Sequence, residues 1–359
     1  MTKEEQATAL VEKIIGSASG FFNVFSIYLG HKLGLYRVLA GGPIISSRLA
    51  EATGTHERYV REWLEQQAVA GILEVGAKDG DGQTRAYSLP EGHAEVLVEE
   101  DSLNYLSPFV QLLVGAVSPL PRLLDVYRNG GGIPYGDYGQ DVLEGQGGVN
   151  RAPLLQLLGG EWLPAVTEVH ARLQATPPAR VVDFGCGAGW SSIGLAKAYP
   201  NVQVHGLDLD AQSIAAAEKN AEDHGVADRV KFEVRDAGDP ALAGQYDLVL
   251  AVECVHDMSN PIAALKVMRQ LAGKGGTVIV IDERVGEQFD PPGSELEWMM
   301  YGWSILHCLP AGMADTPSAG TGTVLRPAKL AEYAEAAGFA RTEELPVFAD
   351  FFRFYRLHP

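Results

Sequence analysis

Val181-Val182-Asp183-Phe184-Gly185-Cys186-Gly187-Ala188-Gly189-Trp190 runs from an apolar stretch of strand character into an acid and three alternating glycines, after which a helical pattern begins. Glycine at every second position lets the chain turn tightly from strand to helix, and lets a ligand lie on main-chain atoms with no Cβ in the way. A second strand-like run, Val202 to Leu207, ends at Asp208 with Leu209 after it. That is about twenty residues past the turn, where a carboxylate can accept hydrogen bonds from a ribose diol. From Arg180 onward strands alternate with helices, the pattern of an α/β fold with a parallel sheet covered on both faces. The turn therefore predicts a nucleotide site at the carboxyl ends of its strands.

Two nucleotide classes fit this much, and the acid separates them. Dinucleotide dehydrogenases carry apolar-x-Gly-x-Gly-x-x-Gly, whereas here Asp183 precedes Gly185, Gly187 and Gly189 in a Gly-x-Gly-x-Gly run. Two further apolar runs follow: Val230 to Arg235, ending at Asp236-Ala237, and Tyr246 to Val252, ending at Glu253. In this order the motifs resemble those of the class I S-adenosylmethionine (SAM) methyltransferases, with a Rossmann-like sheet. The resemblance implies SAM as cofactor, Asp236 accepting from the adenine amino group, Ala237 supplying a backbone amide, and Glu253 closing the pocket around the amino acid part. Each strand-end acid taken alone reads as a helix cap or a solvated turn; four in order read as a site.

A chain of 359 residues is comfortable for two domains. A formal charge of -18 argues against nucleic acid as the main partner, because phosphate binding needs a basic surface. The first hundred residues nevertheless spell helix, helix, helix and wing. A short helix begins at Ser46-Ser47, and a longer one from His56 to Ala70 has Tyr59, Trp63, Leu64 and Ala70 spaced for one buried side. A hairpin of Gly71–Val75 and Arg85–Leu89 then turns through Lys78-Asp79-Gly80-Asp81-Gly82. Its reading helix carries Glu57, Glu62 and Glu65 against Arg58 and Arg61 and would repel phosphate, so this winged helix reads as a packing and dimerisation module. The apolar Phe21, Phe22, Phe25, Ile27 and Leu29 point to a homodimer.

The stretch Phe21–Ala40 is broken by His31, Lys32 and Arg37, which predicts no membrane span. The polar start Met1–Gln6 is unlike a signal peptide. Cys186, Cys254 and Cys308 are too few and scattered for a disulfide framework or zinc cluster, which suggests a reducing cytosol. The expected domains are residues 1–100 (winged helix), 101–176 (helical linker) and 177–359 (SAM-binding domain). Within the linker, Asn129 to Gly139 is dense in glycine and holds Tyr135 and Tyr138; it reads equally as a lid over substrate or as an exposed loop. Leu345–Phe348 and Phe351–Leu357 read as a terminal hairpin.

Methyl transfer from a sulfonium is an in-line displacement, so the protein must mainly align its reactants and, for a hydroxyl acceptor, remove a proton. Glu253-Cys254-Val255-His256-Asp257-Met258, with the later Val278-Ile279-Val280-Ile281-Asp282-Glu283, is similar to the His-Asp-Trp region of plant-type small-molecule O-methyltransferases. That similarity carries the general base to His256 and its supporting carboxylate to Asp282, while Met258 stands where the family has tryptophan. Between Arg284 and Arg326, Trp298, Met299, Met300, Tyr301, Trp303 and His307 cluster where that family lines its acceptor pocket. Their density, with Tyr135, points to a small apolar or aromatic acceptor. His307-Cys308 is set aside as a metal or nucleophile pair, because adjacent residues point different ways on a helix, and no metal is expected. Transfer to carbon or nitrogen, a repurposed SAM-binding enzyme, a SAM-responsive regulator and a nicotinamide dehydrogenase are the other readings.

Overall fold

Thr2 caps the first helix, Lys3–Lys32: its hydroxyl accepts from the Glu5 N–H, and Glu5 accepts in return from the Thr2 N–H. This reciprocal box satisfies two donors that a helix start leaves open. The computed structural model describes residues 1–76 and 82–359. It divides into a first unit, Met1–Gly115 with Glu144–Ala152, and a second, Ala116–Leu143 with Pro153–Pro359. By length and composition the first helix is long and apolar enough to cross a membrane. The charges at positions 31, 32 and 37 stand at or beyond the helix end, and residues 14–30 inside it carry no charge but include Ser17, Ser19, Asn23 and Ser26.

In the first unit, Leu35, Tyr36, Leu39, Leu49, Val60, Trp63, Leu64 and Tyr87 form the core. Gly30 is buried where the rings of Tyr36 and Trp63 press on the first helix; a Cβ there would meet Trp63 at 2.5 Å. Helices Ser46–Thr53 and Glu57–Val69 precede a small sheet in which Ala86–Ser88 lies between Ile44–Ile45 and Glu74–Val75, giving the expected winged helix. Helix Glu57–Val69 buries Val60, Trp63, Leu64 and Gln67, while Tyr59 is 79% exposed. The buried stripe thus follows the i, i+3, i+4, i+7 rule: Trp63 and Leu64 lie where the spacing placed them, while Val60 and Gln67 take the places expected for Tyr59 and Ala70. The turn residues Lys78-Asp79-Gly80-Asp81 lie outside the described residues.

The expected linker is shared between the units. Within the first unit, residues 107–115 and 144–152 belong together because Gly145 and Gly148 let them close: Cβ atoms there would meet Leu112 at 2.7 Å and Pro108 at 2.6 Å. Residues 116–143 go with the second unit, where the Ile133 N–H donates to Pro310 O at 2.9 Å.

The second unit is built on seven strands: β1 (Arg180–Phe184), β2 (Gln203–Asp208), β3 (Val230–Val234), β4 (Leu248–Val252), β5 (Thr277–Glu283), β6 (Arg341–Glu344) and β7 (Phe352–His358). Their order is β3-β2-β1-β4-β5-β7-β6, with β1 to β5 parallel and β7 antiparallel to both neighbours. Both faces are covered. Val181, Val204, Leu250, Ile279 and Phe354 face one core; Val182, Val249, Val280 and Tyr355 face the other. Strands buried on both sides read as unbroken apolar runs, which is why the sequence showed them so clearly. The terminal hairpin is displaced from expectation: its first strand is Arg341–Glu344, and Leu345–Phe348 is irregular. Pro346 has no N–H to give a ladder, so the strand ends before it.

Candidate active site

The strand order reverses between β1 and β4, and there the glycine turn sits. Gly185, Gly187 and Gly189 all have positive φ, at 62°, 51° and 83°, a region that favours glycine. The first and last are also packed tight. A Cβ at Gly185 would meet Cys254 at 2.7 Å, and one at Gly189 would meet Phe232 at 2.7 Å. A Cβ built on Gly187 would meet no described atom within 4 Å, so the side-chain side of the middle of the turn is open. Asp208, at the end of β2, holds the turn from beside it: its carboxylate accepts from the Gly187 N–H at 2.8 Å and the Asp210 N–H at 2.9 Å. Burial raises the Asp208 pKa, and these N–H groups pull it back.

Asp183 is buried under the turn. One oxygen accepts from Ser191 at 2.5 Å and Ser192 at 2.7 Å; the other has no hydrogen-bond partner among the described residues. Burial lifts this carboxyl to about 6 against the pull of the two hydroxyls. Glu253, just past β4, has φ 51°, the only described non-glycine residue with positive φ, and such strain gathers at functional sites. Asp236 is exposed and accepts from the Gly238 N–H at 2.8 Å; Ala237 is half-buried beside it, and Leu209 is 68% exposed.

At the next two strand ends a second cluster forms. His256 lies in the short 3-10 turn Val255–Asp257 that follows β4, and its side chain is buried. Its Nδ1 faces Asp282, on the last turn of β5, at 3.0 and 3.2 Å, and Glu283 at 3.4 Å. Its Nε2 faces Asp257 Oδ1 at 3.4 Å. Burial by itself lowers the His256 pKa, but Glu283, Asp282 and Asp257 outweigh it and hold the ring's proton well above the ordinary range. Glu283 is pushed up too, by burial first, with His256 opposing.

The segment Ser304–Cys308 is a π-helical turn, a form that recurs at functional sites. It carries His307 and Cys308 inward. The His307 ring packs edge-on to Tyr138 at 4.5 Å and Tyr135 at 5.5 Å, and its Nε2 is buried without a hydrogen-bond partner among the described residues. Burial lowers its pKa, while Asp257 raises it. Tyr135 is drawn in because its segment is pinned down: the Tyr138 hydroxyl donates to Leu306 O at 3.0 Å, and a Cβ on Gly132 would strike Ala314 N at 2.3 Å. The Tyr135 hydroxyl is raised by burial and then by Asp208 and Asp257, so it feels both ends of the site. Trp298 is 67% exposed, and the half-exposed Tyr301 accepts from Arg326 at 3.2 Å. Neither is among the residues gathered at His256. The residue that sequence reasoning set aside and the structure brings in is Cys308, whose thiol is lifted to about 12 by burial and Asp257. Its signal was hidden, because an α-helical reading of 304–308 turns it away.

Residues 176–325 match the family model described as "Methyltransferase domain", and residues 23–99 match "Rv2258c-like winged HTH domain". The chain thus has a stretch matching a methyltransferase domain behind one matching a winged helix-turn-helix domain. Among curated proteins, this domain is similar to ajmaline N-methyltransferase of Rauvolfia serpentina, 30% identical over 29% of this chain and 36% of that protein. It is also similar to a probable chloroplastic tocopherol O-methyltransferase of Oryza sativa subsp. japonica, 33% identical over 29% of each. The chain thus spans about a third of the length of these relatives. Solved structures align along the whole chain. The mitomycin 7-O-methyltransferase MmcR gives a TM-score of 0.73 at 18% identity, covering 99% of both chains. Human N-acetylserotonin methyltransferase in complex with SAM gives 0.70 at 17%, covering 100% of this chain and 99% of that one. At such identities the likeness speaks for the fold.

The neighbouring human N-acetylserotonin methyltransferase structure was solved with SAM bound. The residues of this chain fit that cofactor: an open glycine at 187, a buried carboxylate oxygen on Asp183 with nothing bonded to it, and Asp208 beside the turn.

Proposed function

We propose that the protein methylates a hydroxyl of a small apolar, aromatic metabolite, with His256 as the base and Asp282 as the residue that orients it. The observation that carries this reading is the contact of His256 Nδ1 with Asp282 at 3.0 Å, which fixes the ring and leaves Nε2 for proton transfer. Bound SAM supplies a methyl group on a positively charged sulfur. Gly185, Gly187, Gly189, Asp183, Asp208 and Glu253 hold it, with Leu209, Asp236 and Ala237 around the adenosine. Tyr135 and His307 close the acceptor side, and Trp298 and Tyr301 act at its entrance. Because its acidic neighbours hold the His256 proton above the ordinary range, turnover is expected to rise as pH rises.

The first helix exposes Leu10, Ile14, Ile15, Phe21, Phe22 and Leu29, and we read this face as the contact of a homodimer. Three free cysteines fit a reducing cytosol. The ajmaline relative is named for transfer to nitrogen, which keeps an N-methyl acceptor as the second reading. Incubating the full-length protein with methyl-labelled SAM and fractionated metabolite extracts tests the proposal: label is expected in an O-methyl aromatic product. Label on nitrogen favours the second reading, and no labelled product at any pH from 6 to 9.5 contradicts both.

A further inference from the structure

Two short pieces of chain that are far apart in sequence meet at one point. His256-Asp257 comes from the turn after β4 and Cys308 from the π-helical turn Ser304–Cys308. A ring nitrogen of His256, a carboxylate oxygen of Asp257 and Cys308 Sγ all lie within 4.8 Å of one another, and Nε2 is the nitrogen that faces Asp257. Imidazole, carboxylate and thiolate are the three side-chain donors that bind zinc, and three protein ligands with an open fourth position is the form of a reactive zinc centre. The spacing suits this use. Bonds of about 2.0 Å to nitrogen and oxygen in a tetrahedral site put those two donors roughly 3.3 Å apart, and Nε2 and Asp257 Oδ1 stand at 3.4 Å.

Three further observations point the same way. Asp257 Oδ1 is buried and makes no hydrogen bond of good geometry among the described residues; the group it faces is His256 Nε2 at 3.4 Å. His256 is held from its other nitrogen by Asp282 at 3.0 Å, the arrangement by which a carboxylate orients a metal-binding imidazole and strengthens it as a donor. His256 and Cys308 are nearly inaccessible, whereas the Asp257 side chain is 29% exposed, which leaves a way in for a cation and a place for a fourth ligand. His307 Nδ1, at 3.6 Å from Cys308 Sγ, is near enough to steady the sulfur.

We propose that His256, Asp257 and Cys308 form a binding site for a thiophilic divalent cation of the zinc class. On binding, Cys308 and the His256 imidazolium each give a proton to solvent; Cys308 then coordinates as the thiolate and His256 through the freed lone pair of Nε2. That nitrogen is the one assigned above to proton transfer, so an occupied site and an active base exclude each other. The site itself stands whether or not the methyl-transfer reading does.

Cobalt(II) is the probe, because its thiolate complexes absorb in the near ultraviolet. Titrating it into the chelator-treated, full-length parent should give one equivalent of tight binding with a thiolate-to-cobalt band, and zinc should then abolish that band by displacement. Cys308→Ser should lose the band. Since that buried change can also upset folding, Asp257→Asn, at a partly exposed position, provides the second arm: the band should remain while cobalt affinity falls at least tenfold. No band in the parent overturns the proposal. So does a band that survives in folded Cys308→Ser, or an Asp257→Asn protein that binds cobalt as tightly as the parent.

Discussion

The two ends of the site are built differently. At the cofactor end each element is local: an acid or a glycine ends a strand, and the partner that fixes it lies in the adjoining strand or turn, as Asp208 does for Gly187 at 2.8 Å. At the acceptor end the pieces come from the turn after β4, the end of β5, the segment 129–139 and the π-helical turn 304–308, and they meet only when the chain is folded. The first end can be built from backbone amides and single acids because every SAM molecule is alike. The second is assembled from side chains of distant segments, and such segments can change with the acceptor without disturbing the sheet. Binding of the cofactor and chemistry on the acceptor should therefore separate on mutation.

The largest expected effect is at His256. His256→Ala should lower turnover on the true acceptor by roughly a hundredfold to ten-thousandfold, the range for a removed general base. In the parent, turnover should climb through neutral pH toward alkaline pH, because Glu283, Asp282 and Asp257 keep the ring protonated below it. Steady-state rates from pH 6 to 9.5 check both. A mutant with nearly full turnover across that range would make the histidine structural and the comparison void.

A smaller effect is expected at Asp183, and it sharpens the cofactor end. The folded protein keeps the Asp183 proton up to about pH 6, whereas an ordinary aspartate has lost it near 4. In that window the folded state holds more protons than the unfolded one, so this group makes stability fall as pH rises from 4 to 6. A cationic cofactor favours the ionised carboxylate, so SAM affinity should move the other way, strengthening about tenfold between pH 5 and 7. Calorimetry on Asp183→Asn should show that dependence flattened. An unchanged slope would place the titrating group elsewhere.

The same division explains what could be read in advance. Val181–Gly189, the acid at Asp208 and the apolar runs of β3 and β4 were legible because buried parallel strands ending in special residues leave a pattern in sequence. His256 and Asp282 were reached only through resemblance to known enzymes. On helix Glu57–Val69 the spacing found Trp63 and Leu64 but took Tyr59 and Ala70 for Val60 and Gln67, and Pro346 stopped a strand that composition favoured. Trp298 was expected in the pocket for its size and aromatic neighbours, yet a ring's chemistry does not say which side of a helix faces inward. Cys308 was lost because its approach to His256 depends on a π-turn, and no propensity marks one.

The most direct test of the separation is a calorimetric titration of SAM into the parent, Asp208→Ala and His256→Ala proteins side by side. Asp208→Ala removes a carboxylate whose charge-assisted hydrogen bonds are worth roughly 1.5 to 3 kcal/mol, so its SAM affinity should fall about tenfold to a hundredfold. His256→Ala should bind SAM as the parent does. Equal losses in the two mutants, or a loss in His256→Ala alone, would contradict the account.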